Sequence, residues 1–247
     1  MDKKPIIAGN WKMNKSPNEG TSFVKESINL LLDIEKVSVI FAPPFTGLFG
    51  MDLEPPFYSA AQNCHWEDSG AFTGEISVSM VKECGAQYVI VGHSERRHIF
   101  NETDDSVNRK VKAVLKGGLE TILCVGETVE QREAGQTELV LKSQLEQGLE
   151  GVSELKHCVI AYEPVWAIGT GLTASPEQVE LAHQSIRKIL SDLYDSVDDV
   201  QVLYGGSVKP DNSEELIKVP GVDGFLIGGA SLDVGSFTSI IQKVENI

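Results

Sequence analysis

Cys158-Val159-Ile160-Ala161-Tyr162 runs without a break into Glu163-Pro164-Val165-Trp166-Ala167-Ile168-Gly169-Thr170-Gly171, and a helical pattern follows from Ser175 to Tyr194. The first five residues read as a buried strand. Pro164 disfavours helical geometry at Glu163, so the carboxylate is expected extended at the strand's exit. Val165 to Gly171 reads as a lid, with a stiff hinge at Pro164 and a permissive one at Gly169-Thr170-Gly171. A base beneath a closable lid suits proton abstraction toward an intermediate that water would destroy. The plainer reading is a strand-to-helix loop with an exposed Glu. In the helix, Ser175 is the expected N-cap, Pro176 takes the first position and Gln178 completes a capping box. Val179, Ala182, Ile186, Ile189, Leu190 and Leu193 form one apolar stripe.

This strand-then-helix unit recurs along the chain. Strand-like runs are Pro5–Gly9, Val37–Ala42, Phe57–Ala61, Tyr88–Gly92, Thr121–Val125, Cys158–Tyr162, Val200–Tyr204 and Gly224–Ile227. Several are apolar without alternation, as parallel strands covered on both faces must be. A helix is expected from Thr103 to Lys116, with Val107, Val111, Val114 and Leu115 on one face and Gly117 as its C-terminal cap. A short one is expected near Thr46 to Leu53. Eight such units in 247 residues match a (β/α)8 barrel, one domain over residues 1–247. The competing fold is a doubly wound open sheet, whose GxGxxG turn after the first strand is missing.

Composition narrows the function. Lys plus Arg number 21 and Asp plus Glu 36, a net charge of −15. That balance argues against nucleic acid and anionic membrane as partners. An anionic substrate would therefore need a positive field built locally. Cys64, Cys84, Cys124 and Cys158 form no CxxC pair, as expected of buried thiols in a reducing cytoplasm. The N-terminal charges precede only Ile6-Ile7-Ala8, so no secretory signal is expected. No stretch approaches the length of a membrane span.

In such a barrel, chemistry collects where strands end. Asn10-Trp11-Lys12-Met13-Asn14 follows the first run, and Lys12 reads either as an electrostatic clamp for an anion or as a solvated lysine. His93-Ser94-Glu95-Arg96-Arg97 follows the fourth. His93 reads as an acid, base or electrophile beside a helix start that favours a neutral ring, or as a structural histidine. Glu95 either serves the site or pairs with Arg96 or Arg97. Gly205-Gly206-Ser207 and Gly228-Gly229-Ala230-Ser231 follow the seventh and eighth runs. Two Gly-Gly pairs at adjacent exits suit a phosphate cup, the alternative being turn geometry alone. His65, His93, His98, His157 and His183 form no metal-binding spacing.

Taken together, Asn10–Asn14, Gly92–Arg97, Ala161–Gly171, Tyr204–Ser207 and Ile227–Ala230 resemble the triosephosphate isomerase family over the whole chain and in order. The resemblance implies a single-domain TIM barrel that interconverts dihydroxyacetone phosphate and D-glyceraldehyde 3-phosphate in glycolysis and gluconeogenesis, in the cytoplasm, with no cofactor and no metal. It implies Glu163 as the base and His93 as the neutral electrophile, with Lys12 and Asn10 stabilising negative charge. It implies phosphate contacts from Gly169, Ser207, Gly228 and Gly229, and supporting positions at Glu95 and Cys124. It also implies a homodimer. The long loop from Asn63 to Glu75 would carry Thr73 to the partner's Asn10, and Glu75 would pair with Arg96 across the interface. Leu172, Asn101 and Trp66-Glu67-Asp68 depart from residues frequent in the family. Two other readings stay open: a Schiff-base aldolase using Lys12, the only lysine assigned to a strand exit beside the pocket, and an inactive barrel kept for binding.

Overall fold

A computed structural model describes residues 3–51, 53–168 and 173–247. Eight strands close into one parallel barrel in sequence order: β1 Ile6–Asn10, β2 Ser38–Ala42, β3 Phe57–Ala61, β4 Tyr88–Val91, β5 Glu120–Val125, β6 Cys158–Tyr162, β7 Gln201–Tyr204 and β8 Gly224–Ile227. β1 pairs with both β2 and β8, which leaves no free sheet edge. The seam closes at Gly224, where φ is +144° and an added Cβ would lie 2.0 Å from the Ile6 carbonyl oxygen. Only glycine fits there.

The absence of alternation in the strands now has its cause. Successive residues face two different apolar environments. Ile6, Ala8, Ile40, Ala60, Ile122 and Leu203 pack inside the barrel. Ile7, Val39, Phe41, Ile160, Val202 and Phe225 pack between barrel and helices. Burying one large aliphatic side chain is worth about 1.5–3 kcal/mol. The helix Pro176–Leu193 sets Val179, Ala182, Ile186, Ile189 and Leu190 against the sheet, and its Ser175–Gln178 capping box forms as expected.

Two helix expectations are corrected. The second helix is a single turn, Phe45–Leu48, because the chain turns extended at Phe49. The helix Asp104–Lys116 starts at its Thr103 cap, but Gly117 keeps a right-handed φ of −71°. Gly118 takes the left-handed turn, with φ +72°. Gly117 is required for packing instead, since a Cβ there would lie 2.5 Å from Val78 Cγ1. Among the described residues, no helix is long and apolar enough to cross a membrane.

Candidate active site

The C-terminal ends of the strands surround a cavity of about 690 Å³, lined by Asn10, Lys12, His93, Glu163, Ser207, Gly228 and Gly229, among others. These are the expected residues from five different strand exits, brought to one mouth. Gly169, with Thr170, Gly171 and Leu172, falls outside the described residues.

Glu163 leaves β6 with its N–H donating to Val125 O at 2.8 Å. The approach to β5 is close, because a Cβ on Gly126 would lie 1.7 Å from the Glu163 carbonyl oxygen. The residue is 2% exposed, so the plain reading of an exposed loop carboxylate is wrong. Its Oε2 accepts from Ser94 N–H at 2.8 Å and its Oε1 lies 2.9 Å from His93 Nε2. Burial pushes this carboxyl up, but the charge and hydrogen bond of His93, then the Ser94 N–H and Lys12, outweigh it and hold it below its ordinary 4.5.

His93 caps the helix Ser94–His98, and its Nδ1 accepts from the Glu95 N–H at 3.2 Å. That contact fixes the tautomer. Nδ1 is an acceptor, so a neutral ring carries its proton on Nε2, pointing at Glu163. Burial favours the neutral ring. The Glu163 charge and hydrogen bond, with help from Glu95, outweigh burial and raise the ring above 6.5. Most of that upward push vanishes once Glu163 takes up a proton.

Lys12 holds a left-handed backbone, φ +52°. A non-glycine residue in that region is strained and is kept only by its surroundings. Asn10 Oδ1 accepts the Lys12 N–H at 3.1 Å, and Gln62 Nε2 donates to Lys12 O at 2.8 Å and to Ala42 O at 2.8 Å. The Lys12 ammonium pairs with Glu95 Oε1 at 2.6 Å. Of the partners expected for Glu95, neither arginine takes it: Arg96 pairs with Glu102 and Arg97 with Asp104. Cys124 does not line the cavity but lies behind it, fully buried. Burial first, then the neighbouring Glu163 charge, push its thiol well above the ordinary 9.0.

The cup at the other end is made by Ser207 and by the 3-10 turn Gly229–Leu232 that follows β8. Nothing lies within 4 Å of a Cβ placed on Gly229, and one placed on Gly228 would lie 3.4 Å from Lys12 Cε. The Lys12 ammonium and the two glycine-bearing turns thus line the same cavity.

Four contributors escaped the sequence reading. Gln62 fixes the Lys12 backbone from the end of β3. The Ser94 N–H holds the carboxylate, which no side-chain pattern reveals. Lys209 also lines the cavity, so Lys12 is not the only lysine there. Glu127, fully buried, accepts from Tyr162 Oη at 3.1 Å, Trp166 Nε1 at 3.0 Å and Arg132 Nη1 at 3.0 Å. It anchors the 3-10 turn Val165–Ala167 that begins the expected lid. Its position just beyond β5 was the one available signal.

Thr73 and Glu75 stand exposed on the Asn63–Glu75 loop, away from their own cavity. The loop is braced by aromatic contacts: His65 stacks on Trp66 at 4.2 Å and meets Phe72 at 4.5 Å, and Arg109 lies over Trp66 at 5.5 Å. Arg96 lines an adjoining groove of about 230 Å³, together with Met13, Phe45, Gln62 and Phe100, which shares Asn10, Lys12 and His93 with the main cavity.

A buried carboxylate, an oriented imidazole, an ammonium and two glycine-bearing turns at the mouth of a (β/α)8 barrel form a site with the groups needed to move a proton between carbons of a small carbonyl compound. The family model described as triosephosphate isomerase matches residues 5–244. Curated relatives bearing that name include those of Carboxydothermus hydrogenoformans, 50% identical over 97% of this chain and 98% of its own, and Citrifermentans bemidjiense, 48% identical over 98% and 100%. A third, from Prosthecochloris aestuarii, is 49% identical over 98% and 99%. The chain belongs to the triosephosphate isomerase family and is an isomerase.

Proposed function

We propose that this isomerase interconverts dihydroxyacetone phosphate and D-glyceraldehyde 3-phosphate with Glu163 as the base, the scheme established for the family. The observation that supports the roles best is the fixed tautomer of His93 beside the buried Glu163 carboxylate. Glu163 removes a proton from the carbon next to the carbonyl, and the carbonyl oxygen takes up negative charge. His93 donates its Nε2 proton toward that oxygen, and Lys12 and Asn10 offset the charge. The protonated Glu163 then returns its proton to the former carbonyl carbon, while His93 recovers a proton from the hydroxyl on the first carbon, which becomes the new carbonyl. Before the first step one oxygen of Glu163 must give up its hydrogen bond to Ser94 or His93, so the turn that follows Pro164 must shift with it. Ser207, Gly228, Gly229 and Gly169 are assigned to the phosphate. Glu95 holds Lys12, and Cys124 backs Glu163.

The reading includes a homodimer. Met13 is 94%, Ile99 66% and Phe100 62% exposed around the groove that holds Arg96, and Phe72 is 43% exposed on the braced loop. Apolar side chains gathered at one mouth call for a partner surface. A second copy would seat its Thr73 near Asn10 and its Glu75 near Arg96. The four free cysteines suit a reducing cytoplasm, and the two triose phosphates place the reaction in glycolysis and gluconeogenesis.

The test is a coupled assay of the purified protein on D-glyceraldehyde 3-phosphate, repeated with Glu163→Gln. Replacing the base is expected to cost about 10²–10⁴ in kcat with the fold kept. Near wild-type turnover by Glu163→Gln would overturn the assignment. Borohydride trapping of a substrate imine on Lys12 would favour an aldolase instead.

A further inference from the structure

Lys15 belongs to none of these roles, yet its environment is specific. It sits between β1 and the helix Pro17–Leu30 in a left-handed backbone, φ +68°. Glycine would hold that conformation without strain. The lysine ammonium turns inward. It donates to Leu232 O at 2.8 Å, lies 4.3 Å from the centre of the Phe23 ring and 5.7 Å from that of Trp11. Those rings are part of the core, with Trp11 1% and Phe23 5% exposed, and they meet edge to face at 5.1 Å.

Leu232 closes the turn Gly229–Leu232 whose first residues line the cavity. Gly229, Ala230 and Leu232 of the turn all line the cavity, and the Leu232 carbonyl at its end receives the Lys15 ammonium. A cation at the carboxyl end of a helical turn is favourable, and a charged donor to a carbonyl makes a strong hydrogen bond. Ser231 Oγ, donating to Ile227 O at 3.0 Å or to Gly228 O at 2.7 Å, ties the turn to β8. Lys15 is thus the tie between the Lys12 loop and the glycine cup.

We propose that Lys15 is a positioning residue for phosphate, a reading that rests on the assignment of the glycine cup to phosphate. It touches no substrate. It sets the distance between the Lys12 ammonium and the Gly228–Gly229 amides, so that both meet one phosphate group. A strained backbone is kept at this position because the side chain, not the turn, is what the site uses.

The experiment compares Lys15→Met, Lys15→Arg and Lys15→Gly on three readouts: KM and kcat for D-glyceraldehyde 3-phosphate, inhibition by inorganic phosphate, and kcat/KM for unphosphorylated D-glyceraldehyde. Wild-type turnover of the phosphate ester and its inhibition by inorganic phosphate test the reading of the cup itself; the differences among variants test Lys15. Lys15→Met keeps the stem and the strain but removes the charge. It is expected to raise KM and the phosphate inhibition constant about tenfold, with kcat within about threefold of wild type. Its kcat/KM on D-glyceraldehyde should stay within about twofold, since that substrate does not use the cup. Lys15→Arg should recover phosphate binding to within about threefold, because it restores a charged donor. Lys15→Gly should melt no lower than Lys15→Met, yet bind phosphate as weakly. Equal losses on both substrates, or wild-type KM and phosphate inhibition in Lys15→Met, would overturn the proposal. If Lys15→Met does not fold, Lys15→Gly carries the same comparison, and wild-type phosphate affinity there overturns it as well.

Discussion

His93 and Glu163 control each other's charge across 2.9 Å, from imidazole Nε2 to carboxylate Oε1. Both are almost completely buried, and burial alone would neutralise both. Their contact reverses that outcome, holding the carboxyl below its ordinary value and the ring above its own. The Glu95 N–H into Nδ1 opposes a second proton on the ring. The pair therefore competes for one proton along a single line.

Removing the carboxylate charge should reverse the histidine. In Glu163→Gln the main upward influences on His93 are gone and burial remains, so its titration should move from above 6.5 to below it. Stability follows with opposite signs. In wild type, the raised ring contributes stability that is fully present below 6.5 and is lost as pH rises through the folded value. In Glu163→Gln, a depressed ring instead costs stability as pH falls from 6.5 toward its folded value. The lowered Glu163 carboxyl adds a wild-type contribution present above 4.5 and lost as pH falls through its folded value. NMR titration of the His93 ring, with thermal melts across this range, checks both. A His93 value unmoved by Glu163→Gln would mean the carboxylate does not set it.

Lys12→Met should damage the reaction while sparing the fold. The Lys12–Glu95 pair is partly open to solvent, and such pairs contribute only about 0–1 kcal/mol to stability. Loss of one preorganised charge stabiliser typically costs about 10²–10³ in rate. Both kcat and KM should worsen, with the melting temperature nearly unchanged. A fall in kcat/KM below about fivefold would show that the glycine cup alone suffices.

Deleting Ala71 to Glu75 should give a monomer. The braced loop presents Phe72, Thr73 and Glu75 outward, and the groove at Arg96 would lose its occupant. Sedimentation at micromolar concentration compares the two proteins. A wild-type monomer of full specific activity would overturn the dimer. Activity retained in a monomeric deletion would show that the Lys12 loop needs no neighbour.

Much of this was legible in the sequence, for a physical reason. Parallel strands buried on both faces print unbroken apolar runs, so all eight strands were found, three of them to the residue: Phe57–Ala61, Cys158–Tyr162 and Gly224–Ile227. Side chains that carry charge at strand exits print themselves too, as Lys12, His93 and Glu163 did. What stayed hidden lies in backbone and in second partners. The Ser94 N–H on Glu163 and the Glu95 N–H on His93 are main-chain donors, which no pattern of side chains prints. Gln62 acts on a carbonyl, and Glu127 acts through Tyr162, Trp166 and Arg132. Gly117 looked like a helix cap and is a packing position, because a sequence does not show that Val78 lies against it.

Gly126 and Gly229 look alike in the sequence but meet different surroundings. Gly126 lies under the base: an added Cβ would sit 1.7 Å from the Glu163 carbonyl oxygen and 2.6 Å from its carbonyl carbon. Backbone cannot step aside as a flexible side chain does, so Gly126→Ala must part β5 from β6 where Glu163 leaves the barrel. The Glu163 N–H bond to Val125 O would be strained, and the carboxylate would leave its place between His93 and Ser94. Displacement of a reacting group by about 1 Å can cost about 10²-fold in rate. Gly126→Ala should therefore lose both melting temperature and kcat. Gly229 has nothing within 4 Å of its added Cβ, so Gly229→Ala should melt like wild type. Its methyl group would instead stand in the anion cup and raise KM for the phosphorylated substrate, with kcat less affected. Melting curves and steady-state kinetics on the two variants decide this. A Gly126→Ala protein with wild-type kcat would show that the base is not positioned by its strand. A Gly229→Ala protein with wild-type KM would show that the phosphate does not approach that turn.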